Sequence, residues 1–154
     1  MDIVLDDENQ RIYGEETITY HNNSKDNLTY LWLQLDQNMR AADSKRSDMQ
    51  SDGATTMYSP TQFSNKFLEP FDGGFKIEYV KNSDGTDASY LINQTMMRLN
   101  LDKPLASGEI FSFNIKWWYN INNHRTQGGR SGYEHFTENG NNNYVIAQFY
   151  PLIR

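Results

Sequence analysis

The sequence predicts a mostly β domain, a sandwich of packed antiparallel or mixed sheets with long loops and little helix. Three observations predict it. Apolar residues recur at every second position in several runs, the period of a half-buried strand. Asn, Asp, Gly and Ser cluster between those runs as turn formers. Aromatic side chains make up 14% of the chain, which suits strands and excludes a disordered chain. At 154 residues the chain is read as one domain, 1–154, because two independent cores would each have too little surface to bury.

The elements follow in order. Met1 to Leu5 and Arg11 to His21 are extended runs separated by the polar turn Asp6-Asp7-Glu8-Asn9-Gln10. In the second run Ile12, Ile18 and Tyr20 share one face and Glu15, Thr17 and Thr19 the other. After Asn22-Asn23-Ser24-Lys25-Asp26-Asn27, the run Leu28 to Leu35 carries apolar residues on both faces, the signature of a central strand covered on both sides. Residues 39–74 are the least regular: Ala41 to Gln50 suit one or two helical turns, while Phe63, Phe67, Leu68 and Phe71 are expected to pin this loop to the core. Phe75 to Lys81, the turn Asn82-Ser83-Asp84-Gly85, and Ala88 to Asn93 read as a hairpin. Thr95 to Leu101 and Ile110 to Asn120 read as a second pair, joined through Pro104 and Gly108. In Ile110 to Asn120, Phe111, Phe113, Ile115 and Trp117 alternate with Ser112, Asn114 and Lys116. A polar segment, Asn122 to Asn143, leads to a last strand, Tyr144 to Tyr150.

Composition removes several classes of function. Fourteen basic against twenty acidic residues give a net charge of -6, and no Lys/Arg cluster offers the basic stripe that a nucleic-acid binder needs. No run approaches the ~18 apolar residues of a membrane span. Met1-Asp2-Ile3 lacks the basic lead and apolar run of a signal peptide. The absence of cysteine removes disulfides, thiolate nucleophiles and thiolate zinc sites.

No complete catalytic motif is present. Asp6-Asp7-Glu8 lies in a turn, and Glu15 and Glu16 point to opposite faces of a strand, so neither set forms converging acid–base carboxylates; both read as surface charge. Aligning Gly85 with the sixth position of a calcium loop puts Val80 and Leu91 at the ligand ends, so Asn82 to Asp87 is a turn. His21, His124 and His135 are too dispersed for H-E-x-x-H. Gly128-Gly129-Arg130-Ser131-Gly132 has no helix after it and reads as a loop. The aromatics Trp118, Tyr119, Tyr133, Phe136 and Tyr144 are candidates for a binding face, although strand aromatics more often fill the core. N-x-S/T sequons occur at Asn22, Asn27 and Asn93, as chance allows in an asparagine-rich chain.

Several stretches together resemble the N-terminal domain of the zinc metallopeptidases of the aminopeptidase N and leukotriene-hydrolase type, the gluzincins. They are Gly14-x-x-x-Ile18-x-Tyr20-x-Asn22-x-Ser24 with Leu28, Leu31, Leu33, Leu35 and Asn38; Leu99 through Glu109; and Gly129-Arg130-Ser131-Gly132-Tyr133-Glu134 followed by Tyr144 through Pro151. The similarity is greatest to a bacterial branch and covers about two-thirds of the chain. It implies a saddle-shaped, non-catalytic β domain that shapes the peptide cleft, with zinc, the catalytic glutamate and the G-x-M-E-N motif in a following catalytic domain. No catalytic or metal-ligating residue is assigned to this chain. The family's first domain sends a Q-x-E or Q-x-Q element into the cleft, and the matching positions are Gln148 and Tyr150, which strand alternation would place on one face. Tyr150 departs from the pattern, because a phenol cannot neutralise a substrate ammonium as a carboxylate does. The ending departs too: Leu152-Ile153-Arg154 stands where similar sequences place arginine directly.

The partners so implied are a peptide substrate, through the parent enzyme, and the absent catalytic domain. The likeness is compatible with a periplasmic or secreted parent. Family domains continue for further strands, so the chain reads as a fragment or degenerate copy with exposed strand edges able to self-associate. The alternative reading is an autonomous β-sandwich module that binds carbohydrate or protein through Trp118 and Tyr133. A freestanding enzyme finds no supporting motif.

Overall fold

The alternation of the first forty residues folds as its period demands. The computed structural model describes residues 1–45, 59–60 and 71–154. β1 (Asp2–Asp6) and β2 (Arg11–His21) form a hairpin. Asp6 closes its turn by accepting the backbone N–H groups of Glu8 and Asn9. β3 (Leu28–Gln34) ends in a 3-10 turn, Asp36–Arg40. Then come β4 (Lys76–Asn82), β5 (Tyr90–Asn93), β6 (Met96–Leu105) and β7 (Ile110–Asn120). One helical turn, α1 (His124–Gln127), precedes β8 (Gly132–Phe136), β9 (Asn141–Val145) and the two-residue β10 (Leu152–Ile153). The expected anchors Phe63, Phe67 and Leu68, and residues 46–50 of the expected helical turns, lie outside the described residues.

The chain is mostly β and sandwich-like, as expected, and among the described residues every ladder between named strands is antiparallel. One sheet has the order β1-β2-β7-β4 and the other β10-β3-β6-β5, while β8 and β9 form a separate ribbon. The β2–β7 ladder runs without a break from Arg11↔Asn120 to His21↔Ile110. Between the sheets lie Ile12, Val80, Phe113, Ile115, Trp117 and Tyr119 from one side, and Leu31, Leu33, Met97 and Leu99 from the other.

This layering corrects four expectations. The hairpin expected of β4 and β5 closes only at its turn, where Lys81 bridges Asp87 and Ala88 N–H donates to the Val80 carbonyl at 2.9 Å; beyond it β4 pairs with β7 and β5 with β6, in opposite sheets. β6 and β7 likewise sit in opposite sheets, because Met97 and Leu99 bury themselves by facing Phe113, Ile115 and Trp117 rather than lying beside them. β3 is covered on one face only. Leu31 and Leu33 are buried, but Tyr30 and Trp32 on the outer face remain 39% and 38% exposed. The run Tyr144 to Tyr150 is not one strand, for a reason given below.

Two contacts fix how the layers meet. Trp117 lies directly over Gly14, its cross-strand partner; a Cβ on that residue would fall 2.2 Å from the indole Cζ2. Phe75 completes the packing edge-on, 5.2 Å from the Trp117 ring. At one end of the sandwich the fully buried Asn22 joins the β2–β3 and β6–β7 turns. Its side-chain amide donates to the carbonyls of Asp26 (2.8 Å) and Leu105 (2.9 Å), and its main-chain carbonyl accepts Gly108 N–H at 2.7 Å. This satisfies turn groups that burial would otherwise leave unpaired.

Candidate functional site

The segment linking β9 to β10 is built around a buried glutamine. Gln37, in the 3-10 turn, is 2% exposed. Its Nε2 donates to the carbonyls of Ala147 (2.9 Å) and Gln148 (3.0 Å), and its Oε1 accepts Arg40 Nη1 at 3.0 Å. Two successive carbonyls cannot both turn toward one donor in a pleated strand, so the backbone bends. Gln148 takes φ +54, in the left-handed region. That is why β9 stops at Val145, and why the expected alternation of Gln148 with Tyr150 does not hold.

The two expected site residues separate accordingly. Gln148 projects an exposed side chain. Tyr150 is half-buried against the core and packs edge-on with Phe149 at 5.0 Å between centroids. The adjoining Pro151 is buried, and Arg154 N–H donates to the Trp32 carbonyl, which ties the end of the segment to β3. The clamped backbone therefore presents one hydrogen-bonding side chain, Gln148, from a rigid mount.

The aromatic candidates also separate. Trp118 on the outer face is roofed by Arg11, whose guanidinium lies 4.9 Å from the ring centroid, and flanked by Tyr13. Tyr119 is buried in the core and so leaves the candidate binding face, and burial pushes its phenol pKa well above the ordinary value. Tyr133 is half-buried beside Tyr144. Among the described residues the aromatics accessible on strands are Tyr30, Trp32, Tyr90 and Phe136; Tyr30 and Trp32 lie together on β3, with Arg98 4.3 Å from the Tyr30 centroid.

A polar relay, missed in the sequence, joins the β1–β2 turn to the β8–β9 ribbon. Asp7 Oδ1 accepts the Tyr144 hydroxyl at 2.6 Å and the Asn142 amide at 2.9 Å; Asn142 Oδ1 in turn meets His135 Nδ1 at 2.8 Å. The Tyr144 and Asn142 hydrogen bonds hold Asp7 below its usual pKa, while burial and then Asp7 push Tyr144 up to about 12. All of these groups are surface-accessible, and the arrangement joins two loops. Among the described residues no three His, Cys, Asp or Glu side chains converge in a way that would hold a metal ion.

Glu16 overturns its reading as surface charge. Parity places it with Ile12, Gly14 and Ile18 on the inner face, opposite Ile115. It is 7% exposed, and its Oε1 has no hydrogen-bond partner among the described residues. Burial raises its pKa to about 7, with a smaller opposing pull from the N-terminal amine. The signal was available in the strand period itself: Glu15 is the outward member of the pair and Glu16 the inward one.

No protein-family model matches the chain, and no curated protein matches it.

Proposed function

We propose that this chain is a non-catalytic β domain of a zinc-dependent aminopeptidase, forming one wall of a peptide cleft. The observation that carries the reading is Gln148. A non-glycine residue in the left-handed region costs about 1 kcal/mol, and strain of this kind concentrates where a side chain must be held in place. Here the cost falls at the position that the gluzincin likeness assigns to contact with the substrate's N-terminus. Gln148 supplies an amide donor and acceptor, and the Gln37 clamp supplies rigidity. Tyr150, packed inward, supports the segment. Zinc and the chemistry it supplies belong to the separate catalytic domain, and no step runs through a residue of this chain.

The experiment pairs two measurements on the full chain. With added zinc and an aminoacyl reporter substrate, no turnover above background is expected; zinc-dependent hydrolysis would overturn the non-catalytic reading. By NMR, a tripeptide with a free amine is expected to shift the Gln148 side-chain amide resonances, and its acetylated counterpart to do so less. Equal shifts with both peptides, or none with either, would remove Gln148 from the reading. Gln148→Gly relieves the backbone and abolishes the response without unfolding the protein.

One observation favours the alternative, an autonomous binding module: the exposed Tyr30–Trp32 pair, whose rings meet edge-on at 5.8 Å. In that reading the ligand face is the outer side of β3, in place of Trp118 and Tyr133. Glycan-array binding lost on Trp32→Ala would select it. Self-association belongs to the β5 edge, where Tyr90-Leu91-Ile92-Asn93 is uncharged and exposed. Among the described residues no helix is long and apolar enough to cross a membrane.

A further inference from the structure

Among the described residues no strand pairs with the outer edge of β1. Its central residues are unusually accessible for apolar side chains in a ladder: Ile3 is 40%, Val4 61% and Leu5 44% exposed. Such an edge offers a row of free N–H and C=O groups to any extended chain. Natural edges are commonly blunted by a lysine, a proline or a bulge. β1 has none of these, and its register with β2 is unbroken from Asp2↔Glu15 to Asp6↔Arg11.

Charge decides which chain fits. Acidic groups bracket the apolar centre at both ends: Asp2 beside Glu15 at one, and Asp6 followed by Asp7 and Glu8 at the other, where Arg11 of β2 pairs with Asp6 but donates its Nε to Asn120 and lies over Trp118. Hydrogen bonds from Asn9 and Glu8 hold Asp6 below its usual pKa, so it stays ionised. A second copy of β1 is a poor partner. The antiparallel register that pairs all five residues sets Ile3 against Leu5 but Asp2 against Asp6 twice over, and like charges directly opposite destabilise a ladder. The complementary strand has apolar residues at its centre and a cation at each end, four residues apart.

We propose that the β1 edge is a strand-addition site for an extended peptide segment with a three-residue apolar centre flanked by lysine or arginine. Main-chain pairing supplies affinity, and the bracketing acids supply register and sign. The proposal is independent of the aminopeptidase reading, since it involves neither Gln148 nor the segment that carries it.

The test titrates the full chain with a fluorescent, end-blocked nonapeptide whose centre is lysine–valine–valine–valine–lysine, followed by anisotropy. Binding is expected, weakened by salt. Replacing both lysines by glutamate turns two attractive pairs into repulsive ones and should weaken binding about tenfold. N-methylation of alternate amides along one edge should abolish it. Asp2→Lys, at an exposed position, leaves one attractive and one repulsive pair with either peptide, so it should remove most of the preference between the two while leaving the unfolding transition unchanged. Equal affinity for both peptides, no binding of either, or binding that survives N-methylation would overturn the proposal. So would a concentration-dependent dimer whose amide-exchange protection falls on residues 2–6.

Discussion

Glu16 gives the sharpest quantitative test of the fold. Its carboxyl is moved from an ordinary 4.5 to about 7 by burial in the inner face of β2. At about 1.4 kcal/mol for each tenfold change in the proton equilibrium, ionising it inside the sandwich costs about 3 kcal/mol. The folded pKa is raised, so the unfolded chain releases the proton first. Below about pH 4.5 the group imposes no ionisation cost, between 4.5 and 7 stability falls, and above 7 the full cost applies. Glu16→Gln keeps the shape and removes the titration. Its extra N–H groups add a cost that does not vary with pH, so the pH-dependent part of the difference isolates the carboxyl. Urea unfolding of both proteins, followed by tryptophan fluorescence from about pH 5 to about pH 8, should show the variant gaining about 2.5 kcal/mol on the wild type over that range. Other carboxylates shift both curves alike and cancel in the difference. A difference that stays flat with pH would refute the burial of Glu16, and one of opposite slope would require an unrecognised cation beside it.

Two further outcomes follow from the packing and the edges. Asn22→Ala leaves the Leu105 carbonyl and the neighbouring turn groups unpaired, and should cost about 3 kcal/mol, a fall of about 6–10 °C in Tm by calorimetry; a change within error would show that the two turns are not joined through this amide. Leu91→Lys should abolish any dimer seen by sedimentation equilibrium, since it puts a charge on the neutral β5 edge, and a dimer that persists would move the interface elsewhere.

Strand existence was legible because period two survives in the sequence whatever the strand pairs with. Arg11–His21 and Ile110–Asn120 have the bounds the sequence suggests for that reason, since apolar residues hold most of the inward positions of each. Pairing was not legible. Asn82 to Gly85 and Ala106 to Glu109 carry turn residues that serve equally to close a hairpin or to cross between sheets. The choice is made elsewhere, by the buried Asn22 holding Gly108 N–H and by β6 facing β7 across the core. The break at Gln148 was hidden for a similar reason: Tyr144, Ile146 and Tyr150 keep the parity of a strand, and the agent that bends it, Gln37, lies 111 positions away. The exposed face of β3 was misread because Tyr30 and Trp32 count as apolar in a pattern, whereas Arg98 and solvent satisfy them without a covering layer. For the candidate site, the sequence supplied the position of Gln148 through a resemblance but not the clamp that makes it a rigid feature.

The row of β2 that faces inward explains how a carboxyl came to be tolerated in so small a sandwich. Gly14 is needed there because Trp117 occupies the volume that a side chain would fill. The indole is then fully buried, and its Nε1 finds no hydrogen-bond partner among the described residues. One row away Glu16 Oε1 is unpaired as well. A carboxylate in that place would cost far more than an orphaned amide, but a carboxyl that keeps its proton up to about pH 7 imposes only the smaller penalty of a buried neutral group. The raised pKa is thus the means by which the inner face accommodates Glu16 at all. Gly14→Ala would not relieve this row, because the added methyl displaces Trp117 without supplying a polar partner to either orphaned atom. Only a change at Glu16 separates the cost of charge from the cost of packing.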